Sequence, residues 1–474
     1  MEGGVGVLKA GGVAPGAIGN GDHGGMLQPF SSHTGGTAGV SECSSGTFRE
    51  HNLVESVFCG YASTLRRTYG APNLMSSFNP RIFTNPDRLK HIAPKRLEMF
   101  LRPWQIYFEA RGLDLASACT DDMPLDEIAD ILLNPDASVP EEMVDALYYV
   151  HETATNDDME ELLERAEAAG IPIDTDHEVT TADVSVQIWL AQPMLLQRHH
   201  AETIAFKRSN FMYFAGTRPK KAPAELAVLS DADAKTMQDR MDNWFEKKRR
   251  GRNCRIFAFP RGDKIWLLVR HGMPMRREGK HQEDGEAGIA FYRPQQHDVL
   301  IYDRIHDEMG VNAGTKGERE LYLKTFGEVL FGDEDYFDLS DRYTLDPLRE
   351  LGPEALAHED IDGLSGVRLV EFGRRWPGKV SELEIRKSEN LFKGYGEDWK
   401  KRLAGGHLTH ATFKFAFDGV KRERSVTIRP ANIARYERDE DEQIIEAWLQ
   451  ARGFWPISDE DDENENYEVL EDAG

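Results

Sequence analysis

The chain has 474 residues, of which 40% are hydrophobic and 29% charged, the composition of a globular protein with a packed core. At about 150 residues per domain, this length predicts two or three domains. The formal net charge is −25, which disfavours nucleic-acid binding by the surface as a whole, so contact with a polyanion requires a local basic region.

Both ends of the chain are predicted to be disordered. Residues 1–50 are rich in glycine, and such a segment buries too little apolar surface to offset the entropy of ordering it. Residues 457–474 contain nine acidic residues and no Lys or Arg. The sequence therefore assigns the folded part to the residues between these ends.

Residues 51–178 are predicted to form a helical module. Three apolar stripes at helical spacing follow Pro124, Pro140 and Asn156, which are suitable residues for helix starts. An aromatic helical face that precedes them is interrupted at Pro103, which predicts a kink or a break there.

An α+β domain is predicted over residues 179–456, with a possible sub-boundary near 340–365. The boundary near residue 179 depends on a change of period. Apolar residues alternate with other residues in the stretch 184–190, and this spacing predicts a half-buried strand.

The later segments predict a mainly antiparallel sheet with packed helices. Apolar runs on either side of Gly262-Asp263 and of Asp418-Gly419 predict two hairpins. The run 289–302 predicts one further strand, and the segment 230–250 predicts an amphipathic helix. The predicted fold class is therefore α+β, with an all-helical module followed by an antiparallel sheet domain.

A basic region is predicted at the centre of the chain. Residues 240–280 carry thirteen Lys and Arg against four Asp and Glu. Part of this charge lies at a helix end and part in a loop between two predicted strands, where the side chains offer donors to phosphate. The candidate nucleic-acid- or anion-binding residues are Lys247, Lys248, Arg249, Arg250, Arg252, Arg270, His271, Arg276, Arg277 and Lys280.

This pattern indicates a non-enzymatic protein that binds DNA, RNA or another polyanion, or that assists assembly. A cytoplasmic location is expected from the four widely spaced cysteines, which fit reduced thiols, namely Cys43, Cys59, Cys119 and Cys254. We expect the acidic segment 457–474 to mask the basic region. An alternative is a protein–protein interaction component of a bacterial multi-protein system. The sequence predicts no metal site, cofactor or membrane contact, because it contains no P-loop, dinucleotide-binding or C-x-x-C motif and no apolar run of about 18 residues.

The catalytic alternative is a Mg²⁺-dependent nuclease. Such enzymes hold the metal with carboxylates and position the attacking water with a lysine. The nearest arrangement in this sequence is Asp362 with Glu384 and Lys387, and Mg²⁺ enters as a cofactor only under this alternative. Strand alternation places Lys387 on the opposite face from Glu384, which weakens the match.

Overall fold

The computed structural model describes residues 79–115, 123–175, 179–217, 229–282, 285–438 and 441–456. These residues form helices and antiparallel strands, so the predicted α+β class is confirmed. They belong to one compact unit, Phe78–Gly474. None of the described helices is both long and apolar enough to cross a membrane. The disorder predicted for residues 1–50 and 457–474 concerns residues outside the described ranges.

The N-terminal part of the described chain is helical, as predicted. Its helices share one apolar core, to which Phe100, Ile128 and Leu147 belong. A 3₁₀ turn at Arg102–Trp104 interrupts the aromatic face where Pro103 occurs. The helices are α1 Pro86–Leu89, α2 Pro94–Leu101, α3 Gln105–Glu109, α4 Leu125–Leu133, α5 Glu141–Thr153, α6 Met159–Ala168, α7 Thr181–Ala191 and α8 Pro193–Phe206.

The segment 184–190 lies within α7, and the strand predicted there is wrong. Thr180 caps the helix by accepting a hydrogen bond from the backbone of its first turn. Val184, Val186 and Ile188 are all buried, because α7 packs against α2, α5, α6 and α8. A helix that is buried on several sides loses the one-sided 3.6-residue pattern that distinguishes it from a strand. The domain boundary based on this strand loses that support and stays a prediction.

The described chain after α8 contains antiparallel strands. The strands are β1 Asn210–Gly216, β2 Arg255–Arg261, β3 Lys264–Gly272, β4 Arg276–His281, β5 Ala287–Tyr292, β6 Gln295–Asp303, β7 Glu308–Asn312, β8 Phe337–Leu339, β9 Leu364–Trp376, β10 Glu382–Lys387, β11 His407–Phe417, β12 Arg424–Arg429 and β13 Ile433–Arg435. The main sheet follows the order β10-β9-β11-β12-β13-β1-β7-β6-β3-β2, and β8 pairs with β1. Both predicted hairpins are confirmed, as β2–β3 and β11–β12.

Helices cover both faces of the central strands. The remaining helices are α9 Asp231–Lys247, α10 Lys316–Phe326, α11 Asp346–Glu350, α12 Leu391–Tyr395, α13 Trp399–Leu403 and α14 Glu442–Ala451. Successive residues of a strand point to opposite faces. Thus Trp266 of β3 belongs to the same core as Trp448 of α14, whereas Leu267 belongs to the core that includes Phe245 of α9 and Tyr322 of α10.

Strands β4 and β5 form a separate two-stranded sheet, named the ribbon below. The sequence predicts a loop between Arg270 and His281. This prediction is wrong for the second half of the segment, whose cations lie on β4. The single strand predicted over 289–302 is also wrong. It is divided into β5 and β6 at Arg293 and Pro294, and a proline has no amide hydrogen with which to continue strand pairing.

Candidate nucleic-acid interface

The ribbon exposes cations and aromatic rings together. Arg277 lies opposite Phe291, and Arg276 lies opposite Tyr292. Residues directly opposite one another in an antiparallel pair point to the same face of the sheet. Phe291 is 67% exposed, and Ile289 beside it is 56% exposed. Each face of the ribbon therefore carries a guanidinium next to an aromatic ring.

The basic turn that ends α9 contacts the base of the ribbon. Arg249 has a left-handed φ of 61°. Its carbonyl oxygen accepts a hydrogen bond from the guanidinium of Arg293, which also donates to the carbonyl of Met273 at 3.3 Å. A Cβ atom on Gly272 would lie 2.4 Å from the carbonyl oxygen of Arg250, so this approach requires a glycine. The two basic segments predicted from the sequence are thus adjacent.

Six of the predicted binding residues are exposed cations, named the exposed basic set. Three of them lie at the end of α9 and three on β4. None of the six has an ion pair with a carboxylate within the part of the chain that the structure describes. The set consists of Lys247, Lys248, Arg249, Arg276, Arg277 and Lys280.

Two of the other predicted residues form ion pairs within the protein. Arg250 pairs with Glu318, which is 1% exposed. Arg252 pairs with Glu246 at 2.8 Å. These two guanidinium groups have carboxylate partners already, and charge-assisted pairs of this kind make them poorer donors for an external phosphate.

Arg270 lies at the contact between the sheet and α5. Its guanidinium carbon is 5.2 Å from the centre of the Phe257 ring. Burial raises the pKa of Tyr149, and the positive charge of Arg270 opposes this rise. Burial also raises the pKa of Asp145, again against the effect of Arg270. Arg270 therefore interacts with the helical module as well as with the sheet.

A buried polar cluster includes the remaining predicted residue, His271. Its other ligand-type members are Asp298 of β6 and Glu318 of α10, and one ligand atom from each lies within 4.8 Å of the others. His271 Nε2 is 3.1 Å from Asp298 Oδ2, to which the Tyr322 hydroxyl donates at 2.7 Å. The His271 ring stacks on Phe245 with 4.3 Å between ring centres. Within the described ranges, this is the only group of such donors with the spacing to hold a metal ion.

Sequence reasoning missed Asp298 and Glu318. Glu318 stands three residues after Thr315, the spacing of a capping box, which assigns its carboxylate to the helix start. The Thr315 hydroxyl does accept a hydrogen bond from the Glu318 amide at 3.2 Å, but the Glu318 carboxylate pairs with Arg250 instead. The only signal for Asp298 was an acidic residue directly before a buried apolar run.

The structure does not bring the nuclease candidates together. Asp362 precedes β9, whereas Glu384 pairs with Arg374 near the other end of that strand. At about 3.3 Å per residue, the length of strand between these positions is roughly 30 Å or more. Lys387 forms an ion pair with Glu371 at 3.1 Å. One metal ion cannot contact both carboxylates of the predicted site in this arrangement.

Comparison with protein-family models gives no match, and comparison with curated proteins gives none either.

Proposed function

We propose that this protein is a cytoplasmic, non-enzymatic nucleic-acid-binding protein that holds a single-stranded segment along the ribbon. The observation that carries the proposal is the exposed basic set, which has no carboxylate partners among the described residues and whose two arginines on β4 lie opposite exposed aromatic rings. The cations neutralise phosphates, and the rings stack on bases.

The pairing of cations with rings favours nucleic acid over a simple anion. Proteins that hold single strands combine a basic surface along the backbone with aromatic side chains on which bases stack. Arg277 with Phe291 and Arg276 with Tyr292 supply both parts in two neighbouring cross-strand residue pairs, one on each face of the ribbon. A free phosphate would use the cations but would gain nothing from the exposed rings.

Ion pairs within the protein restrict the cations that are available to a ligand. Arg250 and Arg252 lie in the same basic segment, but their ion pairs leave the exposed basic set as the donors for a ligand. The acidic residue of β4, Glu278, accepts a hydrogen bond from the Tyr292 hydroxyl, which raises the pKa of Tyr292. The Glu278 carboxylate is therefore partly occupied by the Tyr292 hydroxyl.

The test is fluorescence anisotropy of labelled oligothymidylate and oligouridylate with the full chain across a salt series. Arg276→Ala with Arg277→Ala removes one guanidinium from each face of the ribbon. For a strand that contacts both faces, this double variant is expected to weaken binding at least about tenfold at low salt and to reduce the salt slope by about 1.4. The matched control is Lys400→Ala with Lys401→Ala, which removes two exposed cations from α13.

Phe291→Ala separates base stacking from electrostatic attraction. Loss of one stacked base is expected to weaken binding by about 1–3 kcal/mol without changing the salt slope. Ile289→Ala, which removes a neighbouring exposed side chain that cannot stack in this way, serves as its control. No binding at low salt, a salt-independent affinity, or equal losses in the arginine and lysine double variants would contradict the proposal.

The alternative of a protein–protein interaction component is favoured by one observation. Ile289 and Phe291 are exposed on the same face of the ribbon. Exposed apolar patches mark protein contacts as well as ligand sites. Light scattering that reveals self-association, abolished by Ile289→Ala, would support this alternative. The nuclease alternative has no comparable observation in its favour, because its carboxylates lie far apart.

A further inference from the structure

Both nitrogens of the buried His271 ring face oxygen atoms. Nδ1 is 3.1 Å from the carbonyl oxygen of Gly272, and Nε2 is 3.1 Å from Asp298 Oδ2. A carbonyl oxygen only accepts hydrogen bonds, so Nδ1 carries a hydrogen. In a neutral ring, Nε2 then presents a lone pair to a carboxylate oxygen. A positive charge must lie between these two atoms, either a proton or a metal ion.

Two donors face the carboxylate of Asp298. The Tyr322 hydroxyl donates to Oδ2 at 2.7 Å, and the Gln296 amide donates to Oδ1 at 3.2 Å. Hydrogen bonds of this kind to a ligating carboxylate, together with a backbone carbonyl on the second nitrogen of a histidine, orient metal ligands in proteins. The surroundings of His271 and Asp298 therefore match those of a metal-binding pair.

Glu318 distinguishes a metal ion from a proton. Its Oε1 is paired with Arg250, but its Oε2 is buried and has no hydrogen-bond partner. A buried carboxylate oxygen without a partner is costly. A proton between His271 and Asp298 leaves this oxygen unsatisfied, whereas a metal ion coordinated by all three side chains satisfies it.

The spacing fits a small divalent ion. Two ligand atoms that each lie about 2.1 Å from one ion are about 3.0–3.4 Å apart, close to the 3.1 Å between His271 Nε2 and Asp298 Oδ2. The ligand atoms of the set lie within 4.8 Å of one another, so a shift of the Glu318 carboxylate by up to about 2 Å brings all three into one coordination sphere. One imidazole and two carboxylates suit a first-row transition ion better than Mg²⁺.

We propose that His271, Asp298 and Glu318 bind a divalent first-row transition-metal ion, such as Zn²⁺ or Mn²⁺, inside the protein. The ligands come from β3, β6 and α10, so the ion fastens α10 to the sheet directly beneath the strand that leads into the ribbon. The enclosed position and the three different elements indicate a structural ion. This proposal does not depend on nucleic-acid binding.

The test uses the full chain, stripped with a chelator and desalted, and titrated with Zn²⁺ or Mn²⁺. Bound metal is counted by elemental analysis after dialysis, for the wild type and for Glu318→Gln and His271→Asn. The wild type is expected to retain one more tightly bound Zn²⁺ than either variant. Adventitious binding by the other histidines and cysteines is common to all samples and cancels in the difference.

The matched control is His410→Gln. His410 lies 3.1 Å from Glu371, a pairing of the same kind but without a third ligand among the described residues. This variant is expected to keep the wild-type metal count. Circular dichroism verifies that each variant folds.

A second readout applies even if the ligand variants fail to fold. Zn²⁺ is expected to raise the Tm of the wild type and of His410→Gln equally, because an ion that binds only the folded state stabilises it. Mg²⁺ at the same concentration is expected to leave Tm unchanged. Equal metal counts in the wild type and Glu318→Gln, or no rise in Tm with either transition ion, would overturn the proposal and identify the cluster as an imidazolium–carboxylate pair. An equal rise with Mg²⁺ would overturn the choice of metal class.

Discussion

Arg342 is a buried cation whose neighbours fix its position. Its guanidinium pairs with Glu308 and lies 3.4 Å from a carboxylate oxygen of Glu446. Its Nε donates to the Tyr343 hydroxyl at 3.0 Å, and its central carbon is 3.4 Å from the centre of the Trp455 ring. Removing one partner of a buried ion pair leaves the other charge without compensation. The stability of this region therefore depends on the complete network.

Arg342→Met is expected to destabilise the fold by about 3–5 kcal/mol, because Glu308 stays buried without its partner. The control is Lys90→Met, which removes a partner from the exposed pair of Lys90 and Asp87 at 2.8 Å. Exposed pairs contribute only about 0–1 kcal/mol. Urea unfolding of both variants measures the difference. Similar losses of stability in the two variants would show that Arg342 is not held by a buried network.

The number of Lys and Arg residues predicts the basic region, but it does not distinguish exposed cations from cations that form ion pairs within the protein. Lys247 and Arg250 lie in the same basic run, and nothing in that run predicts their different surroundings. Lys247 is exposed, whereas Arg250 pairs with Glu318. The difference depends on a carboxylate that is remote in the chain, and no local pattern encodes it. Asp298 and Glu318, two of the three proposed metal ligands, were missed for the same reason, since they lie on elements remote in the chain from His271.

Elements with a strong local signal were predicted correctly. The turns at Gly262 and Gly419 have positive φ, which a glycine adopts without strain, and each joins the strands that were expected. Ser230 accepts the hydrogen bond that starts α9, the helix predicted over residues 230–250. Signals of this kind depend on a few neighbouring residues, so the sequence alone is sufficient for them.

Elements defined by their surroundings were predicted wrongly. α7 is enclosed by other helices, so its apolar residues fit a strand period as well as a helical one. The ribbon has the opposite character. The sequence of β4, RREGKH, has no apolar alternation, and its strand conformation comes from pairing with β5. In both cases tertiary contacts override the local pattern.

His200 of α8 and His297 of β6 are partly buried histidines that are neutral at physiological pH, because the pKa of each is lowered. Burial is the main cause that lowers the pKa of His200 to about 4, with a further contribution from Lys207. Burial likewise lowers the pKa of His297 to about 4, assisted by Arg208 and by Arg270. His200 Nε2 also lies 3.2 Å from the Tyr148 hydroxyl. Protonation therefore places a positive charge in surroundings that do not accommodate it.

Stability is expected to fall as the pH decreases from about 6.5 towards 4. Both folded-state pKa values lie below the ordinary value of 6.5, so the unfolded chain binds more protons in this window. The contribution of the two neutral rings is complete above about pH 6.5. His200→Gln and His297→Gln are expected to flatten the pH dependence measured by urea unfolding, whereas the exposed His407→Gln is not. Equal slopes in all variants would contradict this assignment.

For the whole molecule, the distribution of charge matters more than its total. The net charge is −25, yet nine of the acidic residues lie in the segment 457–474. The last two aromatic residues that the structure describes before it, Phe454 and Trp455, belong to the core on one face of the main sheet. A truncation after Pro456 therefore removes the acidic segment and keeps every residue of the described core.

Deleting residues 457–474 is expected to raise the affinity for labelled oligothymidylate several-fold at low salt, because nine negative charges no longer compete with phosphates for the exposed basic set. The gain should shrink as the salt concentration rises, since the Debye length falls to about 8 Å at 0.15 M. A second variant keeps the length of the segment but replaces each Asp with Asn and each Glu with Gln. If masking is electrostatic, both variants gain affinity equally. An unchanged affinity in the deletion at low salt would exclude masking, and a gain confined to the deletion would assign the effect to steric hindrance by the segment rather than to its charge.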